Sequence, residues 1–162
     1  KVFADIDVFD IEVDASDVDA FVNTVKAIAP TFGGINLEDI KAPEAFEIER
    51  RLKAELNIPV MHDDQHGTAI ISAAALLNAL ELAGKRLEDV RIVVSGAGAA
   101  AMSCLDLYEQ LGVRKEHIAV FDSKGHLHTG RTGLDARKQH YATDHAYADL
   151  HEALHGADVF LG

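Results

Sequence analysis

Apolar positions along the chain switch between two rhythms, one of period two and one of period near 3.6, and the switches predict the elements. Residues 6 to 13 interleave acidic and apolar side chains, the pattern of a half-buried strand. Ser16 is placed to cap a helix from Asp17 to about Ile28, with Val18, Phe21, Val22 and Val25 on one face, ended by Ala29-Pro30. Thr31 to Leu37 predicts a short strand with glycine kinks that delivers Glu38-Asp39 to its end. Pro43 precedes a helix from Glu44 to Leu56 whose apolar stripe is Phe46, Ile48 and Leu52. Val60-Met61 predicts a short strand leading to His62-Asp63-Asp64. Thr68 to Ala83 is apolar nearly all round, the pattern of a helix buried on several sides, and Gly84 suits its end.

The stretch that organises the rest is Val90 to Ala101. The β-branched run Ile92 to Val94 meets a turn at Gly96-Ala97-Gly98, which opens into an Ala-rich apolar helix through Ala99, Ala100, Met102, Cys104, Leu105 and Leu107. A second apolar run, Ile118 to Phe121, ends in Asp122, 24 residues beyond Gly98. This is the layout of a dinucleotide-binding βαβ unit. Gly96 permits the tight turn. Gly98 lets backbone approach a pyrophosphate, and the phosphates would sit on the free N–H groups of the helix start. Gly-Ala-Gly also occurs in plain strand–helix turns; the acid at the right distance and the turn Ser123-Lys124-Gly125 after it favour the nucleotide reading.

Beyond this unit lies a more polar stretch, Leu134 to His155, with candidate short helices around Arg137 and Leu150 and a final strand-like run, Ala157 to Gly162. His126, His128, His140 and His145 are expected at the surface. Strand-like and helix-like segments alternate throughout. The fold class expected is α/β, a mainly parallel open sheet with helices on both faces and a Rossmann-like unit. Residues 1–65 are expected to form a metal- and substrate-site segment, and residues 66–162 a nucleotide-binding domain.

Composition narrows the partners. Of 162 residues, 48% are hydrophobic and 26% charged, the balance of a globular chain. Asp and Glu number 27 against 15 Lys and Arg, which disfavours nucleic acid or an anionic membrane as partner. The single cysteine, Cys104, excludes an intrachain disulfide, fits a reducing cytoplasm, and reads as a buried hydrophobe. No apolar run is expected to reach the length of a membrane span. Lys1-Val2-Phe3, followed at once by Asp5 and Asp7, does not read as a signal peptide, and both chain ends read as cuts through a longer protein.

Two acidic pairs, Glu38-Asp39 and Asp63-Asp64, each follow a short apolar strand, and strand ends are where open α/β sheets bind ligands. Converging carboxylates there would need a cation, and hard oxygen donors suit Mg²⁺ or Mn²⁺. Glu38-Asp39 reads equally well as a solvated loop with a capping role. His62 and His66 offer a rival zinc reading, but that spacing needs a helix, and Gly67 and the strand before Asp63 argue against one.

The sequence resembles the malic enzymes along its whole length, most closely the bacterial NADP-linked branch. The likeness is carried by residues 32–40 (Phe-Gly-Gly-Ile-Asn-Leu-Glu-Asp-Ile), 43–49 (Pro-Glu-Ala-Phe-Glu-Ile-Glu), 62–69 (His-Asp-Asp-Gln-His-Gly-Thr-Ala) and 94–101 (Val-Ser-Gly-Ala-Gly-Ala-Ala-Ala). Asp122-Ser123-Lys124-Gly125 and Gly156 to Gly162 extend it. The resemblance implies oxidative decarboxylation of L-malate to pyruvate and CO₂ with reduction of NAD or NADP. It implies a Mg²⁺ or Mn²⁺ held by Glu38, Asp39 and Asp64, and an Asp63 that supports the catalytic lysine. The cofactor loop is then Gly96, Ala97, Gly98, Ala99 and Ala100. Asp122 would accept from a ribose 2′-OH and favour NAD, whereas Ser123 and Lys124 could hold a 2′-phosphate; the branch likeness favours NADP. The family's lysine base and tyrosine acid have no counterpart here, and Tyr108, Tyr141 and Tyr147 do not sit in that motif. A homo-oligomer is expected of the full-length protein. The competing expectations are a non-catalytic dinucleotide-binding module and a malolactic-type conversion of malate to lactate.

Overall fold

The computed structural model describes residues 4–162, and Lys1-Val2-Phe3 lies outside them. The chain forms two compact units, one ending at His62 and one running Asp63–Gly162.

In the first unit, helix α1 (Val18–Ile28) buries Phe21, Val22 and Val25, the face its period calls for. Its cap is Asp17 rather than Ser16. The Asp17 carboxylate accepts from Ala20 N at 2.9 Å, while Ser16 N donates to Asp14 Oδ1 in a local turn, which takes the serine out of the capping position. Strand β1 (Ile35–Leu37) pairs in parallel with β2 (Val60–His62), Ile35 beside Val60 and Leu37 beside His62. Helix α2 (Glu44–Glu55) joins them, and Ile48 and Leu52 meet Val22, Val25, Leu37 and Val60 in one core. Residues 6 to 13 form no strand. Ile6, Val8, Phe9 and Ile11 are exposed, and only Val13 reaches the core. Alternation alone makes no strand without a neighbour to take its hydrogen bonds.

In the second unit, residues 63–67 form one wide π-helical turn that runs into α3 (Thr68–Ala83). A four-stranded sheet follows, in the order β5 (Gly125–His126), β4 (Ile118–Asp122), β3 (Ile92–Ser95), β6 (Val159–Leu161). All neighbours are parallel except the β4–β5 hairpin. Alternate side chains divide between two faces. Ile92, Val94, Ile118 and Val120 pack with α3 and α4 (Ala99–Leu111), while Val93, Ala119 and Phe121 pack with Ala153 of α6 (Leu150–Leu154). Each face of the sheet is thus covered by helix, as expected of a Rossmann-like unit. The remaining short helix, α5 (Ala136–His140), lies between β5 and α6 in sequence.

Helix α3 differs from expectation. Only Ala69, Ala73, Leu76 and Leu80 are buried, whereas Ile70, Ile71 and Leu82 are 58%, 70% and 90% exposed. Its small-residue stripe packs on α4, and the other apolar side has no cover within the second unit. The helical stretch Asp63–Ala83 is also long and apolar enough, by length and composition, to cross a membrane, contrary to the run-length expectation. A core helix of a water-soluble protein meets the same criteria. Cys104 is buried as expected and accepts a hydrogen bond from Ser72 Oγ at 3.2 Å.

Candidate functional site

The end of β3 runs through a glycine turn into a helix start that no side chain caps. Gly96 N donates to Phe121 O at 2.8 Å, which fastens the turn to β4, and Gly96 adopts φ +115°, a conformation open to glycine. Gly98 then stands at the start of α4 with no side chain capping the helix, and the first turn carries no acidic residue. The N–H groups of the first turn and the positive end of the helix are therefore available to an anion. A Cβ placed on Gly98 would meet nothing within 4 Å, so the space above this backbone is open to a ligand. Ala97 and Ala101 face the other way, into the core.

Beside this loop, at the end of β4, Asp122 is the centre of a charged group. Arg131 donates to both of its oxygens, Nη1 to Oδ1 at 3.0 Å and Nη2 to Oδ2 at 3.2 Å. Lys138 Nζ donates to Oδ2 at 3.1 Å, and Lys124 N to Oδ1 at 2.9 Å. The Asp122 side chain is 9% exposed, and the Arg131 guanidinium holds its carboxyl far below the usual carboxylate range, with help from Lys124 N and Lys138. Ser123 and the Lys124 side chain are exposed at the hairpin turn.

Arg131 and Lys138 escaped the sequence reading. They lie 9 and 16 residues from Asp122, and the β4–β5 hairpin and α5 are what bring them back. The usable signal was the rule that an arginine near the strand-end acid accommodates a 2′-phosphate. His126 also departs from its surface assignment. It is 4% exposed, its ring lying 5.0 Å from those of Phe121 and Tyr147, because β5 turns it inward. Burial, then the neighbouring His128, His145 and Arg131, push its pKa down to about 4.

The acidic pairs belong to different units. Glu38 and Asp39 leave the carboxyl end of β1, both exposed. Asp39 has φ +56°, a left-handed conformation that aspartate tolerates better than most residues. In the second unit, Asp63 and Asp64 open the π turn, Asp63 half-buried and Asp64 exposed. The expectation that this segment is not helical is corrected: the turn absorbs one extra residue per turn and leads into α3 without a break. Asp63 packs closely on Gly67, where a Cβ would lie 2.3 Å from Asp63 Oδ1. The Asp63 carboxylate therefore folds back over the Gly67 backbone. His62, by contrast, is a buried strand residue of the first unit whose N–H donates to Glu49 Oε1 at 3.2 Å. Among the described residues, neither unit by itself gathers three His, Cys, Asp or Glu side chains into a metal-binding group.

Two family models match the chain. Residues 65–159 match the malic enzyme NAD binding domain, and residues 10–53 match the malic enzyme N-terminal domain. The chain is 59% identical to an NAD-dependent malic enzyme of Rhizobium meliloti and 58% identical to an NADP-dependent malic enzyme of Salmonella typhimurium. Both likenesses cover 100% of this chain but only 21% and 22% of the relatives, so the chain spans about a fifth of their length. Among solved structures, the NAD-dependent malic enzyme of Thermotoga maritima superposes with a TM-score of 0.88 at 43% identity, over 99% of this chain and 44% of that one. The malic enzyme of Entamoeba histolytica does so with a TM-score of 0.82 at 41% identity, over 90% of this chain and 32% of that one.

Proposed function

The chain belongs to the malic enzymes, and from that premise we propose that it is the cofactor- and metal-binding section of an enzyme that oxidatively decarboxylates L-malate. In that reaction malate would give up hydride from C2 and the proton of its C2 hydroxyl to become a 2-keto acid, and a bound nicotinamide would supply the hydride acceptor. The C3–carboxylate bond then breaks, CO₂ leaves, and protonation of the remaining enol carbon yields pyruvate.

The observation that carries the reading is the uncapped start of α4 above open space at Gly98, fastened to the strand that bears Asp122. This backbone suits a dinucleotide pyrophosphate. NADP is the cofactor the charges favour. Both Asp122 oxygens are already engaged, so the acid is a weak acceptor for a ribose 2′-OH, and Arg131 and Lys138 leave the group with a net positive charge suited to a phosphate.

The carboxylates of Glu38, Asp39 and Asp64 are hard oxygen donors of the kind Mg²⁺ or Mn²⁺ takes, and they are the residues the family likeness assigns to the metal. A divalent cation on these oxygens supplies Lewis acidity to the malate hydroxyl and to the carbonyl it becomes. Asp63 serves to orient a lysine supplied from outside this sequence. The exposed apolar side of α3 supports its burial against further protein, whether the rest of the chain or a second copy of a homo-oligomer. The buried thiol of Cys104 suits a reducing compartment such as the cytoplasm.

The test is an assay of the full-length protein with L-malate, Mn²⁺ and either NADP or NAD. Reduced cofactor and pyruvate in equal amounts support the proposal, and Asp64→Asn should then raise the Mn²⁺ requirement. Lactate without release of reduced cofactor would replace it with the malolactic-type reaction. Tight nucleotide binding without turnover of malate would replace it with a non-catalytic binding module.

A further inference from the structure

We infer that Tyr141 is a positioning residue for cofactor discrimination, acting through α5 to place Lys138; the inference rests on the NADP reading above. Lys138 sits in a helix of five residues, Ala136–His140, far too short to hold its shape alone. Its geometry is therefore imposed from outside. At the amino end, Asp135 Oδ1 accepts from Lys138 N at 3.0 Å. At the carboxyl end, Tyr141 is 1% exposed and its hydroxyl donates to Asp106 Oδ1 at 2.8 Å, with Glu109 Oε2 at 3.3 Å. His140 Nε2 also meets Glu109 Oε2, at 2.8 Å, and Arg137 Nη2 lies 3.6 Å from Asp106 Oδ2. Three side chains of this segment, Arg137, His140 and Tyr141, thus meet two carboxylates of α4.

Those carboxylates matter because of where α4 begins. Its first residue is Ala99, directly after the glycine loop, and Asp106 and Glu109 stand two to three turns further along the same rod. One rigid helix therefore carries the pyrophosphate seat at its start and the anchor of α5 further on. This contact places the backbone of α5 relative to the start of α4, and Asp122 Oδ2 holds the Lys138 ammonium at the other end of its side chain. Backbone bonds close the base of the segment, Thr143 N to Leu127 O at 3.2 Å and Thr129 N to Thr143 O at 2.9 Å, and among the three side chains that reach α4 from this segment Tyr141 is the buried one. A purely structural Tyr141 would affect both cofactors alike. A positioning Tyr141 affects the one that carries the extra phosphate.

The experiment compares NADP and NAD with the full-length enzyme and its Tyr141→Phe variant, which keeps the buried ring and removes the hydroxyl. The expected result is a KM for NADP raised about threefold to tenfold, the loss of one hydrogen-bonded contact, with kcat and the KM for NAD unchanged. Equal losses for both cofactors, or no change in a folded variant, would overturn the inference. Should Tyr141→Phe fail to fold, Glu109→Gln on the partly exposed face of α4 takes its place, with the same split expected. Lys138→Met separates this inference from the reading beneath it. Wild-type enzyme that shows no NADP preference, with Lys138→Met altering neither cofactor, removes the NADP reading and the clamp together. Lys138→Met abolishing a preference that Tyr141→Phe leaves intact removes the clamp alone.

Discussion

Arg131 grips both oxygens of Asp122 across the β4–β5 hairpin, Nη1 on Oδ1 at 3.0 Å and Nη2 on Oδ2 at 3.2 Å. The same Nη1 also donates to Gly125 O and His126 O, each at 3.0 Å, so the guanidinium ties the hairpin turn to the acid at the strand end. Arg131→Gln should cut NADP affinity about tenfold to a hundredfold, the range of one charge-assisted contact, and leave NAD affinity nearly unchanged. Calorimetric titration of both cofactors checks this. An equal loss for both would mean that the arginine only braces the hairpin.

The glycine loop makes a cleaner test than such loops usually allow. A Cβ added at Gly98 meets no protein atom within 4 Å, and the residue's φ of −85° is open to any amino acid. Gly98→Val should therefore fold, melt near the wild-type temperature, and lose dinucleotide binding by on the order of 1.5–3 kcal/mol, because the branched side chain occupies the phosphate's approach. Unchanged nucleotide affinity in a folded variant would reduce the loop to a plain strand–helix turn.

Most of the framework was legible in the sequence because it rests on local rules. The 3.6-residue period marks α1, α2 and α4, and the β-branched runs mark β3 and β4. The glycine spacing marks the loop between β3 and α4. What escaped depends on partners distant in sequence. Residues 6 to 13 have the alternation of a strand but no strand beside them. His126 reads as a polar-stretch residue until the hairpin turns it against Phe121 and Tyr147. Arg131 and Lys138 are two ordinary basic residues until the chain reverses onto Asp122. The π turn at Asp63–Gly67 was hidden because one extra residue in a turn leaves no mark on composition. On α3, hydrophobicity told which residues avoid water but not whether the described chain supplies the cover for Ile70, Ile71 and Leu82.

Asp63 and Gly67 form a second steric relationship worth testing. An added methyl at Gly67 would overlap the Asp63 carboxylate, at 2.3 Å from Oδ1, and the cheapest relief is rotation of that side chain. Gly67→Ala should therefore cost little stability, since alanine favours helix over glycine, while moving Asp63 from its place. If Asp63 orients the catalytic lysine, full-length Gly67→Ala loses most of its kcat with cofactor affinity intact. Thermal melts beside steady-state kinetics decide it. Full activity in a folded variant would mean that the position of Asp63 does not matter to the chemistry.

His126 gives the second unit a built-in acid sensitivity, and its sign follows from the direction of the shift. The ring is buried against Phe121 and Tyr147, and Tyr147 N donates to its Nδ1 at 3.4 Å, which stabilises the neutral form. His128, His145 and Arg131 oppose a charge on it. Folding thus lowers the pKa from 6.5 to about 4, so the unfolded chain binds the proton more readily than the folded one. The stabilisation is complete above pH 6.5 and is lost as the pH falls toward 4. It amounts to at most about 3 kcal/mol, from the conversion of a pKa difference into free energy. His126→Gln retains a hydrogen-bond acceptor and removes the titration. The variant should be less stable than wild type at neutral pH, because an aromatic contact is gone, yet the gap should close on acidification. Urea melts of both proteins from pH 7 to pH 4 measure this directly. A constant gap across that range would show that the buried imidazole contributes packing and no pH dependence.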